Sequence, residues 1–336
     1  MSTTYPPQPP TTLSLPHILS LRWTSTTQIH PQSIIAYNLS LGAPATHLAH
    51  VYERHPSFAP LPTFASTFAI ALMSLVHADM PTFLPNFQAH NHLHAAHALR
   101  LHRPLPHTGT LRHDAHVLDV RPARNNGVQL RVRITTTAAD DGSQLVLCEQ
   151  EWTSIVLHVP TTGLPPSSSS LSSSESAAAA PPSSHSPPPP DRAPDAVHTH
   201  ATSVAQAALY RAASNDLNPL HIDPATAARA GFPRPLLTGT CTFGVGVRGV
   251  VETVGRGRAV REVQGRLRRP VFAGDVVRTE MWEGVDRGVG GDGGDRAAAV
   301  VFRMVVREEG GGGRVVVDRG QVVFGEGVAE GGRARL

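Results

Sequence analysis

The chain has 336 residues, 40% of them hydrophobic and 16% charged, with a formal net charge of +3. That length holds one large domain or two ordinary ones, each with a core of its own. Positive charge this small and spread out excludes nucleic acid as a partner, and no nucleic-acid-binding motif accompanies it.

Lysine is absent, so all 29 basic residues are arginine. Their densest run, "GRLRRPV" (265–271), reads as a solvated strand edge. The amino terminus is polar and proline-rich, unlike a secretory signal. The first apolar helical stretch, "FASTFAIALMSLV" (64–76), is too short to cross a bilayer, so no membrane insertion is expected. Cys148 and Cys241 lie far apart in apolar surroundings, which predicts two free thiols in the core and a reducing compartment.

Next come "HNHLHAAH" (90–97), with histidines at mixed strand and helix spacings. No cysteine or acid stands near them, so no metal site is expected. "RPLPHTGTLRHDAHVLDV" (103–120) is an Arg-Pro turn leading into a strand. "VQLRVRITTT" (128–137) and "QLVLCEQEWTSIVL" (144–157) are β-branched runs around the turn "ADDGS". Residues 161–198 are serine, proline and alanine with almost nothing to bury, which predicts a disordered linker.

Beyond the linker the same order returns. An apolar helix, "PLLTGTCTFGVGVRGVVETV" (235–254), precedes the Arg-Pro turn and strand of "RPVFAGDVVRTEMWEG" (269–284). Two further strands, "AAAVVFRMVVRE" and "RVVVDRGQVVFG", surround a glycine-rich turn. One enclosed helix and a meander of strands, twice over, predicts an α+β duplication. Each helix is apolar nearly all round, so a curved antiparallel sheet must wrap it. The expected units are 1–160, the linker 161–198, 199–330, and a tail 331–336. The tail ends in Ala334-Arg335-Leu336, which fits the small-basic-leucine pattern of peroxisomal import signals. The glycine-rich "GVGGDGGD" lacks a phosphate loop's strand–helix context, and no G-x-S-x-G elbow is present.

Only the second half carries "SNDLNPLHIDPATAARAGF" (214–232). Asp223 suits an N-cap, Pro224 the first helical position, and Gly231 the helix end. A capped helix after a polar turn explains those three residues. It leaves unexplained why Asp216 and His221 are held together on a non-helical turn stiffened by Pro219. Gly239 then opens the buried helix, where peptide N–H groups can face an oxyanion. An acid, an imidazole and a backbone donor suit proton transfer next to a carbonyl.

"TSVAQAALYRAASNDLNPLHIDPATAARAGFPRPLLTGTCTFG" resembles the hydratase motif of the MaoC-like, (R)-specific enoyl-CoA hydratase 2 family. The likeness extends to "RPVFAGDVVRTEMWEG" and, in the first half, to "VYE", "LPTF" and "LHRPLPHTGTL". It implies a tandem hot-dog fold: two helices, each wrapped by its sheet, packed as an internal pseudo-dimer, with a homodimer also open. The resemblance makes Asp216 and His221 the pair that activates a water, Asn218 the residue orienting them, and Gly239 the oxyanion donor. It places Thr238 and Phe243 against substrate and gives Glu53 a supporting role. It implies an acyl-CoA thioester substrate, no cofactor beyond the coenzyme A of that substrate, and no metal; the terminal tripeptide adds a peroxisomal import receptor as expected partner. Three departures stand out: Thr238 occupies the family's histidine position, "HAAH" (94–97) replaces His-Gly-Glu-Gln with Ala96 in place of the acid, and Asn215 is an extra residue. A hot-dog thioesterase and a weakly catalytic acyl-thioester-binding protein are the alternative readings.

Overall fold

The computed structural model describes residues 10–123, 126–139, 145–164, 186–285, 298–308 and 312–328. The first half runs α1 (Leu15–Ser20), β1 (Arg22–Ile29), α2 (Pro31–Ser40), α3 (Leu48–Val51), a 3-10 turn (Pro62–Ala65), α4 (Ser66–Phe83), then β2 (His92–Leu101), β3 (Gly109–Ala123), β4 (Gly127–Ala138) and β5 (Val146–Leu157). The second half runs β6 (Ala196–Ala201), α5 (Val204–Ser214), α6 (Pro224–Arg229), α7 (Gly239–Val254), β7 (Arg258–Leu267), β8 (Val276–Glu283), β9 (Ala299–Arg307) and β10 (Gly313–Val328).

Both expected central helices are present. Helix α4 buries Phe68, Leu72, Met73, Val76 and Met80. Helix α7 is rich in glycine, threonine and valine, which are poor helix formers, yet it is buried along almost its whole length. Enclosure outweighs intrinsic propensity there. The apolar helix is longer than its sequence pattern suggests. With the preceding 3-10 turn it spans Pro62–Phe83, 22 residues, so the expectation that it is too short for a membrane is corrected. In this fold most of that stretch is buried against the protein itself.

Among the described residues, ten strands form one antiparallel sheet in the order β1-β3-β4-β5-β2-β7-β10-β9-β8-β6. The halves meet where β2 pairs with β7, from Ala96↔Arg266 to Arg100↔Glu262. Strand β7 is therefore central, paired with β2 on one side and β10 on the other. This corrects the expectation of a solvated edge at "GRLRRPV": Arg266 is half-buried in the seam, and only Arg268 and Arg269 beyond it are exposed. Two bonds tie the halves further, from Gln206 Nε2 to the Ser40 carbonyl (3.0 Å) and from Arg248 Nε to the Leu41 carbonyl (2.9 Å).

Parts of the stretch expected as a linker, residues 161–164 and 186–198, are placed in the structure. Residues 165–185 lie outside the described residues, but from Ser186 the chain is placed. Arg192 pairs with Asp195, its carbonyl accepts from Trp282 Nε1 (3.0 Å), and β6 begins at Ala196. Backbone pairing with β8 places the strand, and His198 and His200 on it reach Glu252, Arg248 and Gln206. The terminal tripeptide, Ala334 to Leu336, also lies outside the described residues. Cys148 and Cys241 are free and fully buried, as their surroundings predict.

Strand alternation determines which seam residues face the helices. Register pairs His97 with both Trp152 and Gly265, so these three share the inner face. An added Cβ at Gly265 would lie 2.8 Å from Cε2 of Phe243 on α7, so that glycine lets the helix sit directly on the seam. A register break lies between His94 and Ala96. Such a bulge shifts the alternation by one residue. His94 thereby turns inward like His97, and Ala96 faces outward.

Candidate active site

Helix α5 ends at Ser214, and Asn215 closes it in the left-handed conformation (φ 55°), a role asparagine fills more readily than most residues. The extra residue is thus what turns the chain toward Asp216. Arg211 then clamps the loop, donating to the carbonyls of Asp216 (2.9 Å) and Asn218 (3.3 Å). The Asn218 main-chain N–H donates to Asp216 Oδ1 at 3.1 Å. Its side-chain oxygen accepts from Leu220 N (3.0 Å), capping the 3-10 turn Pro219–His221. Asn218 therefore holds Asp216 through its backbone N–H, while its side chain caps the following turn.

His221 Nδ1 lies 2.9 Å from the Leu236 carbonyl oxygen. A carbonyl only accepts, so Nδ1 carries a proton, and in the neutral ring Nε2 is an acceptor. Leu236 is itself pinned by a bridge to Phe272, and the Leu237 N–H donates to the Val271 carbonyl (2.8 Å). This is how the second Arg-Pro segment enters the site. His221 Nε2 faces Asp216 Oδ2 at 3.8 Å, with side chains 12% and 14% exposed. Helix α6 follows with Asp223 accepting from Ala225 N and Thr226 N, and Gly231 at φ 81°.

Thr238 precedes α7 but leaves the helix end uncapped; its hydroxyl donates instead to Asp216 Oδ2 at 3.2 Å. Gly239 opens the helix next door. An added Cβ there would lie 2.7 Å from Leu267 Cδ1 and 3.7 Å from His94 Nδ1. Asp216, His221, Thr238 and Gly239 are thus brought together, and the helix start contributes free N–H groups and a partial positive charge. A carboxylate oxygen and an imidazole nitrogen, both acceptors, can share one donor molecule between them beside that helix end.

The other predicted residues sit differently. Phe243 is buried, its ring 6.1 Å from His97 and 6.3 Å from Phe302, and forms the wall between helix and seam. Glu53 is exposed on the turn after α3 and takes no part in the bonds that join Asp216, His221 and Thr238. His94 and Trp152 were not singled out by sequence. They stack face to face at 3.5 Å beside Gly239, and burial holds His94 well below the ordinary histidine value. The "HAAH" string was the available signal, but its inward histidine depends on the bulge.

A model of the MFE-2 hydratase 2 N-terminal domain matches residues 28–157, and one of the MaoC like domain matches 185–301. The chain is 31% identical over 89% of its length to peroxisomal multifunctional enzyme type 2 of Mus musculus, but spans only 43% of that protein. It is 30% identical to the peroxisomal enoyl-CoA hydratase 2 of Arabidopsis thaliana, covering 75% of this chain and 81% of that one. Among solved structures, a MaoC-like dehydratase from Phytophthora capsici aligns with a TM-score of 0.71 at 25% identity, over 93% of this chain and 98% of the other. The full-length Drosophila melanogaster multifunctional enzyme type 2 aligns with a TM-score of 0.70 at 26% identity, over 90% of this chain and 48% of that one. A tandem hot-dog fold, both domain models in order, and this similarity over most of the chain lead to one assignment: the protein belongs to the MaoC-like enoyl-CoA hydratase 2 family.

Proposed function

We propose that the protein is a hydro-lyase that hydrates trans-2-enoyl-CoA to (3R)-3-hydroxyacyl-CoA and runs the dehydration in reverse. The observation that carries this reading is the pairing of Asp216 Oδ2 and His221 Nε2 at 3.8 Å, two acceptors beside the start of α7. A water donating to both is held with its oxygen toward C3 of an enoyl group. The Gly239 N–H receives the thioester oxygen as negative charge moves onto it. The water oxygen bonds to C3 and its proton is delivered to C2 on the same face, so that water is added across the double bond with no redox change. The thioester itself acidifies C2, and this chemistry requires no metal or further cofactor.

The names of the relatives, several of them peroxisomal, support placing this activity in the peroxisome. Ala334-Arg335-Leu336 is the segment an import receptor would read.

Purified protein with a panel of trans-2-enoyl-CoA esters, followed by loss of the conjugated thioester absorbance, tests the reaction. Chiral analysis should return the (3R) alcohol. A (3S) product overturns the mechanism; release of free CoA without hydration identifies a thioesterase instead.

A further inference from the structure

The first half supplies a histidine to the second half's site, and its protonation state can be read from its neighbours. His94 Nε2 lies 3.0 Å from the Ala96 carbonyl oxygen, which can only accept, so Nε2 carries the proton. Burial holds the ring neutral. Nδ1 is therefore a bare lone pair. It is Nδ1 that lies 3.7 Å from the Cβ position of Gly239. Among the described residues the bond to Ala96 is the ring's only hydrogen bond, while its face is fixed against Trp152 at 3.5 Å and 8°. The residue as a whole is half-buried.

An acceptor beside an oxyanion site cannot serve the oxyanion, since two electron-rich atoms repel. It needs a donor on the substrate, close to the thioester but not part of it. The enoyl and thioester atoms carry no N–H or O–H, and the 3-hydroxyl formed on hydration stands between Asp216 and His221, which are its partners. The nearest donor on a coenzyme A ester is the amide N–H that lies a two-carbon spacer beyond the sulfur. His94 and Leu267 are the side chains that border Gly239, so an arm that leaves on that side of the Gly239 N–H passes the bare Nδ1.

We infer that His94 is a substrate-positioning residue whose Nδ1 accepts the hydrogen bond of that first amide N–H of the pantetheine arm. This rests on the acyl-thioester reading above and adds a specificity element to it. The first half then reads the carrier arm while the second half performs the chemistry. The contact is made in ground and transition states alike, so its loss acts on KM more than on kcat.

The test compares two crotonyl thioesters of equal size, one of N-acetylcysteamine and one of 2-acetoxyethanethiol, in which an ester oxygen replaces the amide N–H. Wild-type protein should prefer the amide in kcat/KM by on the order of tenfold to a hundredfold, because the ester leaves the lone pair unpaired. His94→Phe keeps the stack on Trp152 and should bring the two substrates close to parity. His94→Asn, with Oδ1 near the former Nδ1, should restore part of the preference. Melting temperatures of both variants near that of wild type establish that they fold. Titration calorimetry with the saturated butyryl pair reads the same preference without turnover. A protein that hydrates neither thioester but still binds the amide selectively overturns the reaction and keeps the contact. Equal use and binding of both thioesters by wild type overturns the contact, as does a preference that persists in His94→Phe.

Discussion

The hydroxyl of Thr238 donates to Oδ2 of Asp216 at 3.2 Å, the same oxygen that faces His221 Nε2 at 3.8 Å. The threonine at a position where the family usually has histidine is therefore tied to the acid. Asp216→Asn, His221→Ala and the double change should each lower hydration by on the order of a hundred- to ten-thousand-fold. The double variant should be hardly worse than either single one, because both groups act on one water. Thr238→Val should cost roughly tenfold in kcat, and Thr238→Ser little, as expected for one lost hydrogen bond. Steady-state kinetics with crotonyl-CoA decide; additive losses in the double variant would refute the shared water.

Gly239→Ala places a methyl 2.7 Å from Leu267 Cδ1, the end of a side chain able to move. The fold should survive with a small drop in melting temperature, while hydration falls on the order of tenfold or more as the donor N–H shifts. Adding Leu267→Ala should recover part of the activity. Unchanged activity in Gly239→Ala would show that no substrate atom approaches this helix end.

Burial pushes His97 and His113 down to about 4 and His92 to about 3. Their ordinary value is 6.5, so as pH falls below it the unfolded chain takes up protons that the folded chain refuses. The stability these groups provide is complete above about pH 6.5 and is lost toward pH 4, at about 1.4 kcal/mol per pH unit for each group. His113→Phe keeps the ring stacked on Phe68 and removes one titrating site. Urea unfolding at pH 7.5, 6.5 and 5.5 should show a shallower acid slope for the variant; parallel slopes would contradict the assignment.

A protease site inserted within residues 165–185 should yield two fragments that stay together and remain active. The β2–β7 ladder and the Gln206–Ser40 and Arg248–Leu41 bonds join the halves without the linker. Fragments that part on a sizing column would show that the seam alone does not hold them.

A fluorescently tagged protein with a free carboxyl terminus should co-localise with a peroxisomal marker, and removal of Ala334, Arg335 and Leu336 should leave it in the cytosol. A full-length protein already in the cytosol rules out import through this tripeptide.

The local chemistry of the site was legible in the sequence because it is made by short-range geometry. Asp223, Pro224 and Gly231 cap and end α6 through neighbours a few residues away, and Pro219 stops a helix before His221. The two apolar helices and most of the strands follow from periodicity, since side-chain alternation and helical spacing are local properties. Long-range pairing decided the rest. Strand β6 has little to bury on its own and is ordered by its partner β8. "GRLRRPV" reads as an edge until β2 covers it. His94 shows the limit most clearly: uninterrupted alternation would face it outward with Ala96, and a single bulge against β5 turns it inward onto Trp152, beside Gly239 of the other half. Sequence determines what each segment can do alone; which segments meet, and on which face, is determined by strand register and the packing of two halves across one seam.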